Sequence, residues 1–390
     1  MKVIPSKKDD KLTVSVAGRL DALTVPEFEK QLGPELRGIK ELVLDLEALE
    51  YISSVGLRLL MKLRKRLNAP LPLINVSREV YEILETTGFT ELFDVEKKLR
   101  ELSVEGMPCV GKGANGSVYR MDDEHIVKVY NPVSNTFEMI KHEKTAASQA
   151  FIHDIPSAIS YDIVRVGDRY GMIYEMINAK TLGEVIANDP DNADVYARRM
   201  AALLKKLHST KFDEGVLPDA RSALMRWAEI ADRSGCYDKT IIDKLRDFIM
   251  SIPAGNTFVH GDFHPGNIMV ADGEFILIDM GDASMGDPVI DLLGSYQIMR
   301  LITRRRRGAE RYTGIPEQLL GRVWNVFIRE YTGLSDEKEL AEYEMKLKFY
   351  SIIRSFAGVT FSELVPKEAL PHITKEISEA FLAGLEKMNS

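Results

Sequence analysis

The 390-residue chain predicts two folded parts: an α/β unit of about 100 residues, then a bilobal α+β unit whose second lobe is largely helical. Three observations predict this. Apolar strand-like runs alternate with helical patterns through the first 96 residues. Two β-rich runs separated by polar turns follow Gly106. From about Asp191 the apolar spacing becomes helical, with Ala201, Leu204 and Leu207 on one stripe. The expected divisions are residues 1–96, a charged linker 97–106 ending at Gly106, a first lobe 107–177 and a helical lobe 178–390.

In the first part, Leu12–Val16 and Glu41–Leu46 read as strands and Leu71–Val76 as strand-like. Thr24–Leu32 reads as a helix, with Pro26 tolerated in its first turn. Ser54–Leu67 carries Leu57, Leu60, Leu63 and Leu67 on one helical face, and Ser77–Thr87 is a helix closed by Gly88. Three segments here resemble the STAS domain of bacterial anti-sigma-factor antagonists: Gly18-Arg19-Leu20-Asp21-Ala22, the run from Leu42 through Tyr51-Ile52-Ser53-Ser54-Val55-Gly56-Leu57, and Leu84-Glu85-Thr86-Thr87-Gly88-Phe89. The resemblance implies that a partner kinase phosphorylates Ser54, although Ser53 stands where the family often has Asp. Phosphate at a helix N-terminus would meet free amides and the positive dipole end, and would add negative charge to a docking surface. The alternative is that Ser53 or Ser54 simply caps the helix.

In the second part, Gly111, Gly113, Gly116 and Val118 fall in a G-x-G-x-x-G-x-V pattern. A dinucleotide site needs a helix directly after its glycines; here Ser117–Arg120, a polar turn and Ile126–Tyr130 follow, so the loop is expected to cover phosphates from a hairpin. Lys128 sits in the second β-rich run, where a kinase places the lysine that contacts the α- and β-phosphates. Glu143, rather than Glu138, on a helix from about Asn135 to Phe151, is expected to hold it. Tyr170–Ile177 reads as a strand entering a hinge, with the backbone at Glu175 and Met176 facing an adenine edge.

Downstream, Asp262 is followed five residues later by Asn267 and twelve further on by Asp279, which ends the apolar run Phe275–Ile278. This spacing suits phosphoryl transfer: Asp262 accepts the proton of an attacking hydroxyl, while Asn267 and Asp279 offer hard oxygens for Mg²⁺ on ATP. Asp272-Gly273 is a hairpin-turn signal that would bring Asn267 and Asp279 to neighbouring strand ends.

With Lys128, Glu143, His260-Gly261-Asp262, Asn267 and Asp279 in this order, residues from about 107 to 390 resemble the aminoglycoside phosphotransferase and choline kinase branch of the protein-kinase-like fold. Gly261 stands where protein kinases usually have Arg. Asp287-Pro288-Val289-Ile290-Asp291 follows too closely for a long activation segment, and no Ala-Pro-Glu comes after it. The resemblance implies an ATP- and Mg²⁺-dependent phosphotransferase acting on a hydroxyl of a small acceptor of aminoglycoside, choline or sugar type, with the STAS unit as a regulatory or docking domain. It also implies that Asp291 opens a helix and supports the Asp262 loop. The competing reading is a signalling protein whose kinase-like part phosphorylates Ser54 or a protein partner, or only binds nucleotide, while the STAS unit engages an anti-sigma factor.

A net charge of −8 gives no reason to expect nucleic acid as a partner, and Arg304–Arg307 reads as a solvated helix end or an anion-binding run. The two cysteines form neither a disulfide framework nor a zinc set, and Cys109 is expected in the core. With no apolar span and no secretory pattern at Met1–Pro5, a soluble cytoplasmic protein without membrane contact is expected.

Overall fold

The computed structural model describes residues 2–8, 10–113, 115–132, 135–301, 308–359 and 366–389; the Arg304–Arg307 run lies outside them. The chain divides into two compact units, 1–102 and 103–390.

The first unit is a five-stranded mixed sheet. Lys2–Lys8, a strand beyond those expected, pairs antiparallel with Lys11–Leu20; Glu41–Ile52, Leu73–Val76 and Val95–Lys97 follow in parallel. The last strand crosses the boundary expected at residue 96. Leu12, Val14 and Val16 alternate into the core, where Phe28, Leu60, Leu63, Val80 and Leu84 from three helices cover them. Those helices are Val25–Glu35, Ser54–Leu67 and Arg78–Thr86. Ser53 caps the second: its hydroxyl accepts from the Val55 and Gly56 amides at 3.2 and 3.4 Å. Ser54, the first helical residue, is exposed.

In the second unit, the strands Ser160–Val166, Arg169–Glu175, His125–Tyr130, Gly116–Arg120 and Cys109–Gly113 lie side by side in that order, all antiparallel. Cys109 is exposed, contrary to expectation, because its strand is the last of the row and is covered by no further strand. The helix Phe137–Ile152 presents Ile140, Glu143, Ala146, Ala147 and Ala150 on one buried face. Beyond residue 181 the unit is mainly helical. Ala201, Leu204 and Leu207 of the helix Ala193–Ser209 pack with Trp324, Phe327 and Ile328 of the helix Glu317–Thr332 in the main core. Among the described residues, no helix is long and apolar enough to cross a membrane.

Candidate active site

The register of the strands explains how the glycine loop faces Lys128. Gly111 pairs with Val118, Val118 with Lys128, and Lys128 with Met172, so these residues form one cross-strand row on one face of the sheet. Gly116 has φ 155°, and a Cβ there would overlap the Val129 carbonyl oxygen, so only glycine fits. A Cβ on Gly113 would meet nothing within 4 Å, which leaves its backbone open to a ligand.

Lys128 joins the two halves of the sequence pattern. Its ammonium lies 2.8 Å from Glu143 Oε1 and 2.9 Å from Asp279 Oδ1, although Asp279 is 151 residues away along the chain. Glu143 also accepts from the Tyr174 hydroxyl at 2.6 Å; Glu138 is exposed and pairs with Lys141. Burial, the largest single influence, would pull the Lys128 ammonium down, but Asp279 and Glu143 together hold it above the ordinary lysine value. At the hinge, the Met176 amide donates to the Glu124 carbonyl at 2.7 Å rather than standing open to an adenine edge. The Glu175 carboxylate accepts from the Ile159 amide at 2.7 Å.

Ile268–Ala271 and Glu274–Leu277 form the hairpin, with Asp272 and Gly273 both at positive φ, as a tight primed turn requires. Asn267 precedes one strand. Asp279 follows the other and takes a left-handed conformation, φ 63°, that turns its carboxylate toward Lys128. Asn267 Nδ2 donates to the Asp262 carbonyl at 2.9 Å and to Asp262 Oδ2 at 3.2 Å, which leaves its own Oδ1 facing away from those bonds. The donors available to a cation are thus an amide oxygen and one carboxylate. Among the described residues, no group of three or more His, Cys, Asp or Glu gathers to hold a metal. A small set of hard oxygens suits Mg²⁺, which keeps waters and takes phosphate oxygens rather than an all-protein cage.

Asp262 is held from both sides. His264 Nδ1 accepts from the Gly266 amide, so its protonated Nε2 faces Asp262 Oδ2 at 3.4 Å. Arg354 Nη2 reaches Asp262 Oδ1 at 3.3 Å. Burial alone would raise the Asp262 carboxyl; the hydrogen bond from His264, with the Arg354 guanidinium beside it, overcomes this and holds it well below the usual range. The carboxylate therefore stays ionised and suits orienting a hydroxyl.

The loop carrying Asp262 rests on Asp291, which is fully buried in the first turn of the helix Val289–Tyr296. Asp291 accepts from the His260 and Gly261 amides at 2.9 and 2.6 Å and lies 3.0 Å from His208 Nε2; His208 Nδ1 is 2.7 Å from the Tyr331 hydroxyl. Gly261 has φ 83°, and a Cβ there would crowd the Asp282 backbone, so no arginine fits where protein kinases carry one. His208, Tyr174, His264 and Arg354 have no role assigned from the sequence alone. Two carried a visible signal: His264 lies within the Val259–Asn267 stretch, and Arg354 is the one charge within Ile352-Ile353-Arg354-Ser355-Phe356-Ala357.

The phosphotransferase enzyme family profile matches residues 109–323, and the STAS domain profile matches residues 2–102. The chain belongs to the phosphotransferase enzyme family. Its first unit is a STAS domain: the anti-sigma-B factor antagonist of Staphylococcus aureus is 35% identical over 88 residues, which cover 22% of this chain and 82% of that protein. An ADP-bound aminoglycoside phosphotransferase, APH(2'')-Ib, superposes with a TM-score of 0.48 at 17% identity, covering 77% of this chain and 98% of that one. A choline/ethanolamine kinase family protein from Mesorhizobium loti gives a TM-score of 0.43 at 14% identity, covering 70% of this chain and 87% of that one. The chain is thus an enzyme that joins a STAS domain to a phosphotransferase unit.

Proposed function

We propose that the protein uses ATP and Mg²⁺ to phosphorylate a hydroxyl of a small-molecule acceptor. The observation that carries this reading is the convergence of Glu143 and Asp279 on the Lys128 ammonium, at 2.8 and 2.9 Å, with Asn267 and Asp262 hydrogen-bonded beside the same hairpin. Gly111, Gly113, Gly116 and Val118 cover the nucleotide, and Lys128, oriented by Glu143, contacts its phosphates. Asn267 Oδ1 and the Asp279 carboxylate would hold Mg²⁺, which supplies charge neutralisation on the phosphates. Asp262 orients the acceptor hydroxyl. Its oxygen bonds to the γ-phosphorus as the bond to the β,γ-bridging oxygen breaks. ADP leaves with that electron pair, and the hydroxyl proton passes to Asp262. Most of the rate comes from positioning and charge stabilisation.

The STAS unit serves as a regulatory or docking domain for a protein partner such as an anti-sigma factor. Its Ser54 hydroxyl is exposed while Ser53 does the capping, which favours Ser54 as an accessible phosphosite for this enzyme or another kinase. Intact mass after incubation with ATP and Mg²⁺ tests the self-modification reading: a phosphate gain lost in Ser54→Ala supports it, and no gain in the wild type refutes it. The main reading is tested by Mg²⁺-dependent ATP consumption across acceptors, wild type against Asp279→Asn. Acceptor stimulation that the variant loses is expected; equal turnover by the variant would overturn the assignment.

A further inference from the structure

Resting on the phosphotransfer reading, the geometry points to Arg354 as the residue that selects the acceptor: we propose that it binds an oxyanion, a carboxylate or phosphate, carried near the reactive hydroxyl, and disfavours cationic alcohols.

Both carboxylate oxygens of Asp262 have neighbours, but unlike ones. Oδ2 faces Asn267 and His264 on its own loop, whereas Oδ1, among the described residues, faces Arg354. Asn267 has a role on the metal side, so the acceptor approaches Oδ1, and the atoms flanking its hydroxyl fall beside the guanidinium. Arg354 comes from the helix Ile352–Gly358, 92 residues beyond Asp262, and its side chain is only 13% exposed. Its guanidinium lies over the Trp227 ring, 5.3 Å from the centroid, so the planar group is held flat. Gly294 makes room for it: a Cβ there would stand 2.6 Å from Nη1.

Nη1 itself is buried and has no hydrogen-bond partner among the described residues. It borders a small cavity of about 10 Å³ between Leu224, Trp227, Gly261, Asp282 and Leu293, room for one water or one ligand oxygen. A buried guanidinium N–H calls for an acceptor, and a planar fork with one arm on Asp262 and one arm open suits an oxyanion oxygen. The Asp282 carboxylate on the cavity wall pairs with Arg226 at 3.5 Å. Because the ionised Asp262 already offsets the Arg354 charge, selection rests on the open Nη1 donor: an oxyanion oxygen can accept from it, and an ammonium, which has no acceptor, cannot.

The test uses the full chain with ADP and Mg²⁺, and measures binding of three probes: D-glycerate, choline and kanamycin. ATP-dependent phosphorylation of each is followed separately. Arg354→Met and Arg354→Lys are compared with the wild type, and their ADP affinity reports whether the fold is kept. D-glycerate binding tighter than choline or kanamycin, weakened about 10- to 100-fold in Arg354→Met and partly restored in Arg354→Lys at unchanged ADP affinity, supports the inference. A purely structural Arg354 would lower ADP affinity and all three probes together, which overturns it. Equal or tighter binding of the cations, or no binding of any probe by the wild type, also overturns it. Phosphorylation of a cation alone leaves the phosphotransfer reading standing without this one. Glycerate binding that depends on Arg354, with no transfer to any probe, sustains this assignment and gives that reading no support.

Discussion

The two units treat charge differently. In residues 1–102 the core is apolar throughout, and ion pairs such as Lys62 with Glu29 and Arg78 with Glu82 lie in solvent. Every buried polar or charged residue among those described lies in the second unit, from Glu143 to Thr374. Burying charge costs free energy unless partners offset it, so a fold needs a reason to carry it inside. Here the buried charges gather around the Asp262 loop and Lys128. The first unit buries apolar side chains alone; the second accepts the cost of buried polar groups, the pattern expected of a preorganised electrostatic site.

Substitutions can break that contrast in order of expected size. Asp262→Ala should slow acceptor-dependent ATP consumption by about 10²–10⁴-fold, about 3–5 kcal/mol of barrier. Unaltered turnover would mean that the buried cluster is only structural. Asp291→Ala leaves the His260 and Gly261 amides and His208 without their common partner, and should cost about 3–5 kcal/mol in denaturant unfolding. A loss no larger than a surface substitution would show that the loop does not depend on this support.

The first unit should respond on a smaller scale. Ser53→Ala removes the cap from the Ser54–Leu67 helix and should cost about 1 kcal/mol. Ser54→Ala should stay within about 0.5 kcal/mol. If Ser54→Ala proved the costlier of the two, capping and exposure would be assigned to the wrong serines. Lys62→Ala breaks an exposed pair and should change stability by less than about 1 kcal/mol. A larger effect there would erase the distinction between the units.

Much of the site was legible because its chemistry is local. The Asp272-Gly273 turn announces the hairpin that places Asn267 and Asp279. Glu143 shares its helix stripe with alanines whose spacing marks a buried face. The rest depends on context: Cys109 lies in an edge strand that is exposed along most of its length, and the Met176 amide is taken by Glu124, a pairing no local pattern announces.

The sequence by itself determined the two fold classes and the order of the candidate site residues, because hydrophobic period, turn chemistry and motif spacing act over a few residues. Only the tertiary structure decided which serine caps and which is exposed, why Gly261 excludes a side chain, and that Arg354 stands against Asp262 with one arm unpaired. Those outcomes depend on contacts between segments tens of residues apart or on the backbone conformation that packing imposes, and neither leaves a period or a spacing in the chain.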